Sequence, residues 1–122
     1  VVGTFFKRAL ADEVLYVNGE EETLDFTYVT DTAKGIAQAA TTKGVSGIFN
    51  ISKQEKVTIK SVAERVVELV GKGTVKVRDK KAGMPSRGTL DCTKAREAFK
   101  FDPKITIDKG LELYYNSLKQ KA

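Results

Sequence analysis

Apolar side chains recur along the chain at two spacings. A period of two, which is typical of a half-buried strand, predicts strands over residues 24–29 and 74–78. Short apolar runs predict two further strands, over residues 14–17 and 48–51. Asn18-Gly19 is a strong turn signal after the first of these runs, so we expect strand 14–17 to pair with strand 24–29.

Helical spacing, with apolar residues at i, i+3, i+4 and i+7, predicts helices over roughly residues 1–11, 32–40, 58–71, 91–99 and 106–118. Thr58 and Thr106 are the predicted N-caps of two of them, Thr30 or Asp31 caps the second, and Gly71 ends the third. The alternation of strand and helix predicts an α/β fold, a small mixed sheet with helices, in one domain of residues 1–122.

Composition fits an ordinary globular domain. The chain is 41% hydrophobic and 30% charged, and no apolar run approaches the ~20 residues that cross a bilayer, so we expect no membrane partner. Its single cysteine, Cys92, has no partner for an intrachain disulfide, which favours a reducing, cytoplasmic setting. The chain opens on an apolar helical pattern without Met, which we interpret as part of a longer protein.

The formal net charge is +5, from lysines spread over predicted surface positions. Such a spread is typical of a solvated surface. A nucleic-acid interface would need interleaved aromatic residues, which the sequence does not place among these lysines, so we expect no nucleic-acid partner.

No catalytic constellation emerges from the residues themselves. Histidine is absent, Cys92 is alone, and no Gly-rich phosphate loop occurs, so the sequence predicts no metal ligands and no cofactor site. The acidic run at residues 20–22 is predicted to be a solvated turn. A ligand-binding surface is predicted only in the polar loop after strand 74–78, where Gly83 and Pro85 set a bend that allows Lys81 and Arg87 to converge on one phosphate.

Several segments, in order and spacing, carry a resemblance to a known family. They are LYVNG (15–19), DFTYVTD (25–31), GIFNI (47–51), KAGM (81–84) and DCTKA (91–95). Together they resemble the C-terminal, substrate-binding part of the extended short-chain dehydrogenase/reductases, the NAD-dependent sugar epimerases and dehydratases typified by UDP-glucose 4-epimerase. The resemblance implies the C-terminal portion of such a Rossmann enzyme, with the Rossmann half that holds NAD or NADP missing from this chain.

The resemblance also assigns residues to a site. Leu24 stands where the family carries an arginine that contacts diphosphate, Lys81 stands where its R-P-G arginine lies, and Arg87 is a candidate substitute in the same loop. We therefore predict that Leu24, Lys81 and Arg87 bind substrate, a nucleotide-sugar-like small molecule. By the same resemblance the family's catalytic Tyr-x-x-x-Lys belongs to the Rossmann half, and the chain is predicted to lack it.

The resulting hypothesis is the substrate-binding portion of an NAD(P)-dependent epimerase or dehydratase, inactive alone. One alternative is a free-standing binding module that uses the same α/β unit without cofactor, and another is a basic nucleic-acid-binding domain. The expected partner is an N-terminal Rossmann half. Without it, apolar surfaces at Phe5/Phe6 and Ile48/Phe49 are expected to be exposed and to cause homo-oligomerisation.

Overall fold

The computed structural model describes residues 1–121, which form five helices and four short strands. The helices are α1 (Val2–Leu10), α2 (Val29–Thr41), α3 (Ile59–Val70), α4 (Thr93–Phe99) and α5 (Ile107–Gln120). The strands are β1 (Val14–Asn18), β2 (Thr23–Leu24), β3 (Val57–Thr58) and β4 (Thr74–Arg78). The predicted α/β class is confirmed.

The strands form two separate two-stranded sheets among the described residues, one parallel and one antiparallel. In the first, β1 runs parallel to β4, with Val14 opposite Thr74 and Asn18 opposite Arg78. In the second, β2 pairs with β3 through Thr23–Thr58 and Leu24–Val57. The expected pairing of residues 14–17 with residues 24–29 is therefore wrong.

The predicted strand over residues 24–29 is also wrong beyond Leu24, because side chains replace the ladder there. The Asp25 carboxylate accepts hydrogen bonds from the Gln54 and Leu90 amides, and the Thr27 hydroxyl accepts one from the Lys53 amide. These contacts hold an extended segment without a partner strand. An alternating sequence fits such a segment as well as it fits a strand.

Residues 48–51 contain no strand either. Ile48 is 87% exposed, so the apolar run does not mark a buried strand. The run packs instead through Phe49 and Ile51 against a small cluster whose buried members are Cys92, Ala95, Phe99 and Phe101. Gly35 approaches the Phe101 ring so closely that an added Cβ would lie 2.8 Å from its Cε1 atom.

Helix termini follow the predicted caps in two cases. The Thr58 hydroxyl accepts from the Ser61 amide at 3.2 Å, and the Thr106 hydroxyl accepts from the Lys109 amide at 3.2 Å. Gly71 ends α3 in the left-handed conformation, with φ 83°. The second helix differs, because α2 begins at Val29 and Asp31 lies inside it. Asp31 is nearly buried and accepts from the amides of residues 104 and 105, which fixes α2 to the segment before α5.

The main core lies between α1, α3, α5 and the parallel sheet. Phe6 is fully buried there, with its ring centroid 5.3 Å from that of Tyr114 and 5.7 Å from that of Tyr115. Phe5 is 5% exposed. The prediction that Phe5 and Phe6 form an exposed face is wrong, because α3 and α5 of this chain cover them. No helix in the described part of the chain is long and apolar enough to span a membrane.

Candidate functional site

A cavity of ≈ 200 Å³ opens between β2 and the loop that follows β4. We call residues 79–90 the basic loop. The lining comes from the residue before α1, the end of β1, β2 and the residue before it, the start of α3 and the basic loop: Val1, Asn18, Glu22, Thr23, Leu24, Ile59, Lys80, Lys81, Met84, Pro85 and Arg87. The three predicted site residues, Leu24, Lys81 and Arg87, all belong to this lining.

Two local features shape the cavity. Gly19, with φ 96°, turns the chain after β1 so that its amide donates to the Arg78 carbonyl and the acidic run lies beside the basic loop. Gly83, with φ 79°, bends the basic loop, and the Met84 amide donates to the Lys81 carbonyl across that bend. Both positive φ values favour glycine, so the glycines at positions 19 and 83 permit the two turns that border the cavity.

Glu22 and Lys80 form an ion pair at the edge of the cavity. The Lys80 Nζ atom lies 3.1 Å from the Glu22 Oε1 atom, and the Ser86 hydroxyl donates to the same oxygen at 3.2 Å. The charge of Lys80 is therefore neutralised by Glu22. Lys81 and Arg87 have no ion pair among residues 1–121, and both side chains are exposed. These two cations are available to an anionic ligand.

Two further hydrogen bonds connect the basic loop to β2 and to Asp25, the residue that follows β2. The Thr23 hydroxyl donates to the Arg87 carbonyl at 2.7 Å. The Leu90 amide donates to the Asp25 Oδ2 atom at 3.2 Å. The stretch of residues 22–25 thus contacts the basic loop near its beginning, its middle and its end.

The chemistry of the lining is mixed. Leu24, Ile59 and Met84 provide apolar surface, while Lys81 and Arg87 provide positive charge. A guanidinium can bind two phosphate oxygens through its planar fork, and an ammonium binds as a point charge. The described lining residues include no histidine and no pair of carboxylates, so this surface fits binding rather than proton transfer.

The sequence places Lys80 in the predicted ligand-binding loop, but it does not indicate that Glu22 lines the cavity or that it pairs with Lys80. The prediction of a solvated acidic turn is confirmed for Glu20 and Glu21, which are exposed, and is wrong for Glu22, whose side chain is 20% exposed. Glu20 pairs with Lys60 at 2.6 Å. The hydrogen bond from Lys60 lowers the pKa of the Glu20 carboxyl, and the same contact raises the pKa of Lys60. The sequence shows two acidic residues, Glu20 and Glu22, and two distant lysines, Lys60 and Lys80, but only the fold brings each acid beside its lysine.

The predicted absence of a Tyr-x-x-x-Lys spacing is wrong as a statement about the sequence, because Tyr115 and Lys119 have it. In the structure both lie on α5. The Lys119 Nζ atom is 4.7 Å from the centroid of the Tyr115 ring, and that ring stacks on Phe6. The pair therefore forms a cation–π contact against the main core, which accounts for both side chains without a catalytic role.

Comparison with known proteins confirms the resemblance of this chain to the C-terminal part of the extended short-chain dehydrogenases/reductases. Among the relatives in sequence is a Bacillus subtilis protein named uncharacterized UDP-glucose epimerase YtcB, 31% identical over 120 residues. That match includes 93% of this chain and 38% of the relative. No family model matches the chain.

Solved structures agree with the sequence match. UDP-glucose 4-epimerase from Thermotoga maritima, determined with UDP-glucose, superposes with a TM-score of 0.85 and 28% identity over 98% of this chain and 39% of that one. UDP-glucuronic acid 4-epimerase from Bacillus cereus, determined with UDP-glucuronic acid and NAD, superposes with a TM-score of 0.81 and 28% identity. That match covers 96% of this chain and 40% of the epimerase chain. The chain thus spans about two fifths of the length of these relatives.

Proposed function

We propose that this chain is the substrate-binding portion of an NAD(P)-dependent nucleotide-sugar epimerase or dehydratase, and that it has no activity alone. The observation that carries the proposal is that Leu24, Lys81 and Arg87 line the same cavity in a chain similar to UDP-sugar enzymes. In the intact enzyme, an oxidoreductase or isomerase, these residues hold the diphosphate while hydride transfer takes place in the other portion.

The cofactor belongs to that other portion in this proposal. NAD is present in the Bacillus cereus structure. In this chain β3 continues directly into α3 at Thr58 and Ile59, without the glycine turn that lets a pyrophosphate approach a helix N-terminus. These residues do not fit a dinucleotide, and we derive no cofactor contact from them.

An exposed apolar surface supports a partner for the chain. Ile36 on α2 is 60% exposed and lines a cavity together with Gly35, Ala39 and Phe49. Ile48, which precedes Phe49 in the chain, is 87% exposed. In the intact protein we propose that the N-terminal Rossmann half covers this surface, since the relatives are more than twice as long as the chain. In its absence a second copy of the chain covers it.

Light scattering tests whether a second copy of the chain covers this surface. The chain is expected to self-associate, and Ile48→Lys is expected to give a monomer because it adds a charge to the exposed surface. Lys72→Ala, at an exposed position after α3, is the control and should leave self-association unchanged. A monomeric wild-type chain at high concentration would contradict the proposal of a homo-oligomer.

Binding of UDP tests the function itself. We expect calorimetry to detect UDP binding to the chain and to detect none of NAD. Lys81→Ala should weaken UDP binding by about 1 kcal/mol, roughly fivefold, because an exposed charge contact is lost. Lys72→Ala should have no effect. Equal affinities for UDP in wild type and Lys81→Ala would show that the basic loop is only a solvated surface.

A further inference from the structure

Among the contacts of the basic loop, the one from Thr23 is different in kind. Its hydroxyl donates to the main-chain carbonyl of Arg87, so it fixes the backbone of that residue without using the guanidinium. Glu22, in contrast, binds the side chains of Lys80 and Ser86. The five N–H donors of the Arg87 guanidinium therefore remain available to a ligand, while the Thr23 hydroxyl fixes the main chain of Arg87.

Thr23 is itself fixed by the second sheet. It pairs with Thr58, and Thr58 caps α3 through the Ser61 amide. The Glu22 carbonyl accepts from the Ile59 amide at 2.9 Å, which adds a further connection between this strand and α3. A chain of main-chain and hydroxyl contacts thus runs from a helix in the main core to the carbonyl of Arg87.

The basic loop needs such support. Every residue from 81 to 90 is exposed, so the loop has little apolar burial to hold it in one conformation. Ordering a flexible loop when a ligand binds subtracts conformational entropy from the affinity, whereas a loop ordered in advance avoids that loss. The contacts from residues 22–25 provide order without a ligand.

We propose that Thr23 is a positioning residue for Arg87, and that residues 22–25 hold the basic loop as a preformed wall of the nucleotide-binding cavity rather than as a lid that closes. This inference rests on the proposed function. It makes β2, the strand that contains Leu24, responsible for anion binding together with the loop cations. Thr23 lines the cavity, but in this proposal its hydroxyl is bound to the Arg87 carbonyl and does not contact the ligand.

Thr23→Val and Thr23→Ser separate positioning from simple loss of a side chain. Valine keeps the shape and suits a strand but cannot donate, and serine keeps the hydroxyl. With UDP as the probe in calorimetry, we expect Thr23→Val to raise the Kd about three- to tenfold and Thr23→Ser to stay within about twofold of wild type. Thr41→Val is the control, because the Thr41 hydroxyl also donates to a main-chain carbonyl, that of Ala37, far from the cavity lining.

Amide hydrogen exchange provides a second measurement that does not depend on a ligand. In the chain without UDP, Thr23→Val should speed exchange of the loop amides, including that of Met84, while the thermal midpoint changes little. If wild type binds no UDP, the proposed function is wrong and this inference falls with it. If wild type binds UDP and Thr23→Val binds it equally well, the function stands and the positioning role is overturned. Protection of loop amides only when UDP is present would also overturn it, in favour of a closing lid.

Discussion

At the scale of single residues, Leu24 gives the cavity an apolar wall beside two cations, because its side chain contributes to the same lining as Lys81 and Arg87. The resemblance predicts an arginine at this position. Leu24 pairs with Val57 in the antiparallel sheet, so its backbone position is fixed. A replacement at this position changes the cavity wall without changing the fold around it.

Leu24→Arg is expected to tighten UDP binding. A bidentate, charge-assisted contact from a guanidinium contributes ~1.5–3 kcal/mol, roughly ten- to hundredfold in affinity. Calorimetry with UDP measures the change, and Leu24→Met is the control because it keeps the wall apolar at similar volume. Affinity that falls in Leu24→Arg would mean that repulsion from Lys81 and Arg87 outweighs the new contact.

At the scale of secondary-structure elements, the helices and the strands predicted over residues 14–17 and 74–78 follow their sequence signals closely, whereas the strands predicted over residues 24–29 and 48–51 do not. The apolar spacing of α3, its cap at Thr58 and its end at Gly71 are local features, and the structure confirms all three. The extension of strand 24–29 fails because Asp25 and Thr27 bond to segments far along the chain. A period of two identifies an extended backbone, and only the fold decides whether that backbone has a partner.

The candidate site also contains residues that the sequence indicates and residues that only the fold reveals. Lys81, Arg87 and the bend at Gly83 are visible in the sequence because charge, glycine and loop polarity are local properties. The roles of Glu22 and Thr23 are not visible, because each contacts the basic loop across about 60 residues of chain. Hydrogen bonds of that separation leave no periodic signal in one sequence.

Removing the cap of α3 is expected to destabilise the whole chain. Thr58→Ala leaves the Ser61 amide without its acceptor, and loss of an N-cap costs about 1 kcal/mol in the free energy of unfolding. Urea denaturation followed by circular dichroism measures this change. Thr41→Ala serves for comparison, because the Thr41 side chain is exposed and bonds only within α2, so its removal should change stability by less than about 0.5 kcal/mol. Equal losses in the two variants would exclude a capping role for Thr58.

At the scale of the whole molecule, the shifted pKa values belong to groups near the surface, four of which form the ion pairs Glu20–Lys60 and Asp102–Lys104. Hydrogen bonds from Lys60, Thr93 and Lys104 lower the pKa values of Glu20, Asp91 and Asp102, in that order. The contacts with Glu20 and Asp102 raise the pKa values of Lys60 and Lys104 above the usual value for lysine. Lys60 is half-buried and the other four groups are exposed, so salt screens each contribution.

Stability is therefore expected to have a broad plateau in pH. A carboxyl with a lowered pKa in the folded state contributes stability above its unfolded value and loses it as the pH falls below about 4. A lysine with a raised pKa loses its contribution only as the pH rises beyond about 10.5. The chain has no histidine, so the free energy of unfolding from urea titrations should stay nearly constant between about pH 5 and pH 8. A step within that interval would contradict this description, and added salt should flatten the acid limb.

The parallel pairing of β1 with β4 has a consequence for how the chain is made. Val14 lies opposite Thr74, so a ribosome completes the first strand about 60 residues before it completes the partner. Closing so long a loop is slow and entropically unfavourable, and it follows the formation of local helices. During this interval Leu15 and Val17, both fully buried in the finished fold, remain exposed on the nascent chain. The burial of Leu15 and Val17 therefore depends on a strand that is made much later, and a synthesis that stops before Thr74 leaves β1 without the partner that it has in this fold.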